Sequence, residues 1–291
     1  MGVRGKSINL YLMDGIANGR IKCTLANWTG VAYKIPRTKL DMCKDRGDLK
    51  QSGVYFLFGT SDQNGESIVY IGQSGVRKNG EGILYRLQEH KRNHDRDYWT
   101  EVVVFTTSNN SFGPTEISYH ENRFCKLAIE AKRYKVKNGN DPTQGNITEE
   151  KESELEEFVD YARIVMGTLG HNVFEPLVII SPIIAVEEQP KVEEPLLYFE
   201  NANARATGRR TSEGFVVMQG SILSRKISKS CPEIAMKARF KYSDRIDESN
   251  TLKEDVLLSS PSAAAAFVGG SSLSGNEMWK TINGVSLKHL N

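Results

Sequence analysis

Side chains that can bind a phosphate or move a proton occur in one order along the first half of the chain. They form four groups, namely Gly53-Val54-Tyr55, Tyr70-Ile71-Gly72, Arg86 with His90, and Glu121 followed by Asn138. An arginine suits a phosphate because its fork donates two charge-assisted hydrogen bonds and stays protonated at any working pH. A histidine beside it can donate to a phosphate oxygen or transfer a proton. These residue types favour chemistry at a phosphate group.

Glu121 interrupts an apolar stripe on a predicted helix over residues 115–134. The other members of the stripe recur at helical spacing and are Ile117, Phe124, Ala128 and Ala131. Because burying an unpaired carboxylate costs several kcal/mol, this glutamate needs a cation, a charged partner or a solvent-filled cleft. An ion pair with Arg123 or Lys126 would give it a structural role. A divalent metal held by one carboxylate, waters and phosphate oxygens would give it a catalytic one.

The two tyrosines lie in segments that are typical of β-strands. Residues 53–58 and 67–71 are rich in β-branched and aromatic side chains, and Asn64-Gly65 between them suits a turn with positive φ. The pattern therefore predicts a β-hairpin. Cross-strand neighbours on one face of such a pair lie roughly 5 Å apart, so Tyr55 and Tyr70 can come close together. Whether they share a face depends on the register, which the sequence leaves open.

Arg86 and His90 lie in a segment with helical periodicity. Residues 81–91 follow a loop of small and basic residues, and Ile83, Leu84 and Leu87 form their apolar side. Two residues four positions apart project as neighbours along one side of a helix. The spacing therefore places the arginine and the histidine next to each other, close to the apolar seam.

Taken together, these residues resemble the GIY-YIG endonucleases over about residues 51–142. The naming motifs stand as Gly53-Val54-Tyr55 and Tyr70-Ile71-Gly72, followed in family order by Arg86-x-x-x-His90, Glu121 and Asn138. Val54 replaces the usual isoleucine, and the hairpin loop is longer than in compact members. Asn140 lies two residues beyond Asn138 and is an alternative for the same role.

The resemblance implies a role for each of the two tyrosines, the arginine and the histidine. Tyr55 would act as the general base or orient the attacking water, with Tyr70 assisting beside the scissile phosphate. A tyrosine has an ordinary pKa near 10, so a nearby cation would have to ease its deprotonation. Arg86 would stabilise the charge that develops on the phosphoryl oxygens. His90 would support the phosphate or relay a proton.

The resemblance also implies a metal and a reaction. Glu121 would hold one divalent ion, Mg²⁺ or Mn²⁺, that neutralises the leaving oxygen, and Asn138 would tie the site together through its amide. The expected activity is metal-dependent hydrolysis of DNA phosphodiester bonds. A module that keeps the nuclease fold and binds DNA or protein without catalysis is the alternative.

Basic residues near these motifs predict contacts with nucleic acid. The candidates are Arg86, Lys91, Arg92, Lys132 and Arg133. The last two belong to a basic stretch over residues 123–137, which precedes an acidic stretch over residues 149–160. Contacts with backbone phosphates supply much of the affinity for DNA. A solvated helix face would explain the same stretch, and the net charge of +2 gives no preference.

The chain divides by composition into four parts. Residues 1–50 predict a small β-rich extension, residues 51–177 the nuclease domain with a trailing helix, residues 178–195 a linker, and residues 196–291 a separate α+β domain. The fold class expected for the whole chain is α+β, with a small mixed or antiparallel sheet flanked by helices in the nuclease domain. The trailing helix is predicted over residues 148–169, with one apolar face.

The last part resembles a C-terminal domain of unknown function that is often appended to such nucleases. The resemblance rests on Gly214-Phe215-Val216-Val217, Gly220-Ser221, Ser259-Ser260-Pro261-Ser262-Ala263-Ala264 and Trp279-Lys280. Within it, Ser260 and Pro261 predict the start of a helix. Its basic residues are compatible with DNA binding, and association with a protein partner or a second copy is the other expectation. The basic residues are Arg205, Arg209, Arg210, Arg225, Lys226 and Lys229.

Composition sets the remaining limits. The chain has 291 residues, of which 39% are hydrophobic and 25% charged, as in ordinary globular proteins. No apolar run approaches the roughly 20 residues of a membrane helix, and no signal-peptide pattern opens the chain. We expect a cytoplasmic protein without membrane contact. The four cysteines show no Cys-x-x-Cys spacing, so they do not predict a zinc or redox pair.

Overall fold

The computed structural model describes residues 5–77, 80–93, 97–139, 147–178 and 194–290. The chain forms two compact units, residues 1–175 and residues 176–291. The expected α+β class is confirmed, with a seven-stranded mixed sheet and helices in the first unit and a four-stranded antiparallel sheet in the second. Most of the predicted linker, residues 179–193, lies outside the described residues, as does Asn140.

Among its described residues, the first unit has seven strands and three α-helices. The strands are β1 (Ile8–Leu12), β2 (Ile21–Leu25), β3 (Gly30–Pro36), β4 (Gly53–Thr60), β5 (Ser67–Ser74), β6 (Trp99–Thr107) and β7 (Lys135–Val136). The helices are α1 (Ile83–Arg92), α2 (Pro114–Ala131) and α3 (Glu149–Thr168), and two 3₁₀ turns cover Arg37–Cys43 and Gly47–Lys50. The three helices fall where the apolar periodicity predicts them.

Strand β6 lies at the centre of the sheet, whose order is β1-β2-β3-β6-β4-β5-β7. All pairs are antiparallel except β5 with β7. Residues 102–105 of β6 form a continuous apolar run and are fully buried, as expected for a strand covered on both faces. Strand β3 pairs with β6 from Gly30 opposite Thr107 to Pro36 opposite Glu101. The β-rich N-terminal segment therefore belongs to the same sheet as the hairpin.

The sheet carries a separate core on each face. Alternation along β4 directs Phe56 and Phe58 into the larger core, to which α2 and α3 contribute. It directs Tyr55 and Leu57 into the core on the other face, to which α1 and the 3₁₀ turns contribute. Tyr55 thus faces the helix that carries Arg86.

The second unit has its own sheet and core. Its strands are β8 (Leu197–Asn201), β9 (Ala204–Thr211), β10 (Gly214–Val217) and β11 (Val256–Leu258), in the order β11-β10-β9-β8. Its helices are α4 (Glu233–Lys241), α5 (Pro261–Gly269) and α6 (Gly275–Met278). Buried α5 and the fully buried Trp279 belong to its core. The predicted helix start is confirmed, because Ser260 Oγ accepts a hydrogen bond from Ala263 N at 3.1 Å.

No helix in the described ranges is both long enough and apolar enough to cross a membrane.

Candidate active site

Tyr55 and His90 form the centre of the candidate site. The Tyr55 hydroxyl lies 2.7 Å from His90 Nε2, and the two side chains are only 1% and 3% exposed. Tyr55 lies opposite Gly72, and Leu57 lies opposite Tyr70. Because side chains alternate along a strand, this register puts both tyrosines on the same face. Their ring centroids are 6.3 Å apart, and the Tyr70 ring lies 5.6 Å from that of His90.

The two motif glycines make room for this arrangement. A Cβ atom at position 72 would lie 2.5 Å from the Tyr55 hydroxyl oxygen, closer than such atoms approach in proteins. A Cβ atom at position 53 would overlap the carbonyl oxygen of Phe105 on the neighbouring strand. Glycine is required at position 72 because a side chain there would displace the tyrosine ring.

Helix α1 supplies His90 and Arg86 from successive turns of one side. The Arg86 side chain is 38% exposed, and its Nη1 donates a hydrogen bond of 2.7 Å to Glu89 Oε2. Burial, with a smaller effect of Tyr70, raises the pKa of Tyr55 well above its ordinary value, and Arg86 opposes part of that shift. Tyr55 is therefore a neutral phenol within hydrogen-bond distance of His90 Nε2, and which of the two donates depends on the tautomer of His90.

Glu121 projects from α2 as a half-buried carboxylate. Burial raises its pKa, and hydrogen bonds from the side chain and backbone of Gln73 oppose part of the shift. Arg123, one expected structural partner, instead forms an ion pair of 2.7 Å with Glu156. In the described part of the chain no cationic side chain is paired with Glu121. A carboxylate in these surroundings is suited to a cation from solution.

The donor set fits a single divalent ion. Across residues 5–77, 80–93, 97–139, 147–178 and 194–290 no group of three or more histidine, cysteine or acidic side chains converges on one point. Magnesium usually keeps several waters and takes one or two carboxylates together with substrate phosphates. Glu121 alone would meet that requirement, because water and phosphate oxygens would complete the coordination.

Asn138 binds the backbone of the second motif. Its Oδ1 accepts a hydrogen bond from Ile71 N at 3.1 Å, and its Nδ2 donates one to Ile71 O at 2.7 Å. Strand β7 pairs in parallel with β5 just before this point. The amide therefore continues the contact of this segment with β5 as far as Ile71 and fixes the strand between Tyr70 and Gly72.

The basic residues predicted to contact nucleic acid differ in their surroundings. Lys91 Nζ lies 2.7 Å from Asp41 Oδ2, and Arg133 Nε donates a hydrogen bond of 2.7 Å to the carbonyl of Glu175. Arg92 and Lys132 are exposed. Lys132 is the C-cap residue that follows α2, and it has the left-handed conformation with φ 52°. Arg86 is the one of the five that lies beside Tyr55.

Three residues near the site were not predicted from the sequence. Gln73 directly follows Gly72, donates a hydrogen bond of 3.1 Å from Nε2 to Ser118 Oγ, and opposes the rise in the pKa of Glu121. Glu89 and Arg77 form an ion pair of 2.8 Å next to Arg86. The three-residue spacing of Arg86 and Glu89 on one helix is the local signal for the ion pair between these two residues. Arg77 lies outside the helix, so no periodicity indicates its position.

Comparison with known proteins identifies only the C-terminal part of the chain. Residues 197–291 match the family described as a domain of unknown function, DUF4357. This agrees with the resemblance noted for that part, and no GIY-YIG family match was found. No curated protein and no solved structure matches the chain significantly.

Proposed function

We propose that the first unit is a GIY-YIG-type endonuclease that hydrolyses phosphodiester bonds in DNA. The contact between Tyr55 and His90 carries this proposal, because it places a proton acceptor on a buried phenol. Arg86 and Glu121 both lie within electrostatic range of that phenol. A structural core would have no need to gather a tyrosine pair, a histidine, an arginine and a carboxylate that has no cationic partner among the described residues.

Tyr55 and His90 act together in the proposed activation of water. The attacking water gives a proton to the Tyr55 oxygen while the phenolic proton passes to His90 Nε2, so that no free phenolate forms. This order of proton transfers suits the site because burial raises the pKa of Tyr55 and disfavours the phenolate. His90 then holds the proton released by water. Tyr70, next to both rings, orients the water or the phosphate.

In the proposed reaction, Arg86 and Glu121 stabilise the negative charge on the phosphoryl oxygens and on the leaving oxygen. The guanidinium of Arg86 stabilises the charge on the non-bridging phosphoryl oxygens. Glu121 would hold Mg²⁺ or Mn²⁺, which would supply Lewis-acid chemistry for the leaving oxygen. Asn138 positions this part of the site by fixing Ile71 between Tyr70 and Gly72.

Cleavage of supercoiled plasmid by the full chain tests the proposal. We expect nicking with Mg²⁺ or Mn²⁺, none with chelator, and a loss of roughly 100-fold or more in Glu121→Gln. Glu130→Gln is the matched control, because Glu130 is an exposed carboxylate on the same helix. Binding of DNA without any cutting would favour the non-catalytic alternative, and absence of both would favour a protein-interaction role.

For the second unit, we propose that an exposed basic loop contacts DNA. Arg225, Lys226 and Lys229 lie on this loop, and none of them is in an ion pair within residues 194–290. Association with a protein partner or a second copy is the competing proposal for this unit. A cytoplasmic location accords with the four cysteines, which are all free thiols.

A further inference from the structure

Two arginines share one carboxylate beside the candidate site. Arg77 donates from Nη1 to Glu89 Oε1 at 2.8 Å and from Nη2 to Glu89 Oε2 at 3.1 Å. Arg86 donates from Nη1 to the same Oε2 at 2.7 Å. Arg77 Nη2 and Arg86 Nη1, which both donate to Oε2, are therefore at most about 5.8 Å apart.

Both guanidiniums of this cluster hydrogen bond to the Glu89 carboxylate, and Glu81 also lies within electrostatic range of Arg77. The Arg77 and Arg86 side chains are 44% and 38% exposed, so solvent and ligands reach both. An exposed ion pair contributes little to stability, and this is a weak reason to hold a second arginine here.

The backbone around Arg77 has its own support. Arg77 N donates to Glu81 O at 2.7 Å, and Gly80 N donates to Arg77 O at 2.9 Å. The Arg77 guanidinium also lies over the Tyr85 ring, 4.8 Å from its centroid. Stacking on one side and a two-point contact with Glu89 on the other fix the direction of the fork. A guanidinium that is held in one direction and is open to solvent is suited to an oxyanion.

We propose that Arg77 binds the backbone phosphate next to the one held by Arg86, and that Glu89 is a positioning residue that orients both guanidiniums before DNA arrives. This inference rests on the proposed nuclease function and adds a second phosphate contact to its substrate site. Phosphate oxygens take over hydrogen bonds that Glu89 accepts in the free protein. Glu89 remains close enough to keep Arg86 directed toward the reacting group.

Binding of a labelled DNA duplex by the full chain, in chelator and at several salt concentrations, tests the role of Arg77. We expect Arg77→Ala to raise Kd roughly 3- to 10-fold and to reduce the slope of log Kd against log salt by about 1. Arg163→Ala is the matched control, because Arg163 on α3 forms a comparable ion pair with Glu175, and α3 packs on the opposite face of the sheet.

Glu89→Gln separates positioning from simple attraction. Removing the negative charge leaves DNA binding as tight as in wild type or tighter, whereas the saturated cleavage rate falls because Arg86 is no longer directed. A merely structural Glu89 would leave the ratio of cleavage rate to binding unchanged once the folded fraction is accounted for. Retention of the wild-type cleavage rate in Glu89→Gln would overturn its positioning role.

The outcomes distinguish this inference from the proposed function. If wild type cuts DNA and Arg77→Ala shows the same Kd and salt slope as Arg163→Ala, only the second phosphate contact is refuted. If wild type neither binds nor cuts DNA, both proposals are refuted together.

Discussion

Two neighbouring residues of α2 show how burial decides the chemistry of a side chain. Glu121 is half-buried and lies within electrostatic range of Tyr55. His120 is fully buried among aromatic rings, and neither ring nitrogen has a hydrogen-bond partner among the described residues. Its ring centroid lies 5.0, 5.7 and 4.7 Å from those of Phe112, Phe124 and Phe158. Burial lowers the pKa of His120 to about 3, so it is a neutral core residue.

His120 should make the first unit less stable in mild acid. Its pKa is lower in the folded state than the ordinary value near 6.5, so the unfolded chain binds more protons as the pH falls below that value. When the pH falls from about 7 to about 5, the unfolding free energy of wild type should decrease by about 1–2 kcal/mol more than that of His120→Phe. Urea unfolding of residues 1–175, followed by circular dichroism, measures this difference. Equal losses in the two proteins would contradict it.

Strand β5 positions the candidate site through its pairing with neighbours on both sides. On one side its register with β4 brings Gly72 against the Tyr55 hydroxyl. On the other side Asn138 binds the backbone of Ile71, between Tyr70 and Gly72. The strand therefore fixes both tyrosines at once, and a small change in its side chains should be felt at the Tyr55–His90 contact.

Gly72→Ala should impair cleavage more than folding. The new Cβ would lie 2.5 Å from the Tyr55 oxygen, so the ring must move away from His90. We expect a cleavage rate lower by roughly 10-fold or more, with a stability loss of about 1–3 kcal/mol. Gly75→Ala is the matched control, because its Cβ would meet only Ile117 Cδ1 at 3.7 Å. Plasmid nicking and thermal unfolding are measured for both, and wild-type nicking by Gly72→Ala would contradict the expectation.

At the scale of the whole molecule, the chain combines two units that each have a core. Trp279 and the buried alanines of α5 belong to the core of the second unit. In that unit, Arg205 pairs with Glu200 and Arg210 with Glu194. The candidate DNA-contacting residues of the loop are therefore fewer than the six basic residues counted in the sequence.

The exposed loop of the second unit should bind DNA in a salt-dependent way. We expect residues 194–291 to bind a labelled duplex, with an affinity that falls steeply as salt rises. Replacing Arg225, Lys226 and Lys229 together by alanine should weaken binding roughly 10-fold or more. Arg205→Ala with Lys237→Ala is the control, because both cations are already paired with glutamates. No binding at low salt would instead favour protein association.

The sequence by itself determined the features that depend on neighbouring residues. Apolar periodicity located α1, α2 and α3, and the Ser260–Pro261 signal located the start of α5. The four-residue spacing of Arg86 and His90 put them on one side of a helix. These features were predictable because helical periodicity and capping are local properties of the chain. The order of the site residues also came from the sequence alone.

Only the tertiary structure decided which distant residues meet. It set the register that places Tyr55 and Tyr70 on one face, and it joined β3 to β6 so that the N-terminal strands belong to the same sheet. It paired Arg123 with Glu156 rather than with Glu121, and it brought Arg77 to Glu89. The physical reason is that strand pairing and ion-pair choice depend on contacts between residues far apart in the chain, where several partners of similar chemistry compete and packing selects one.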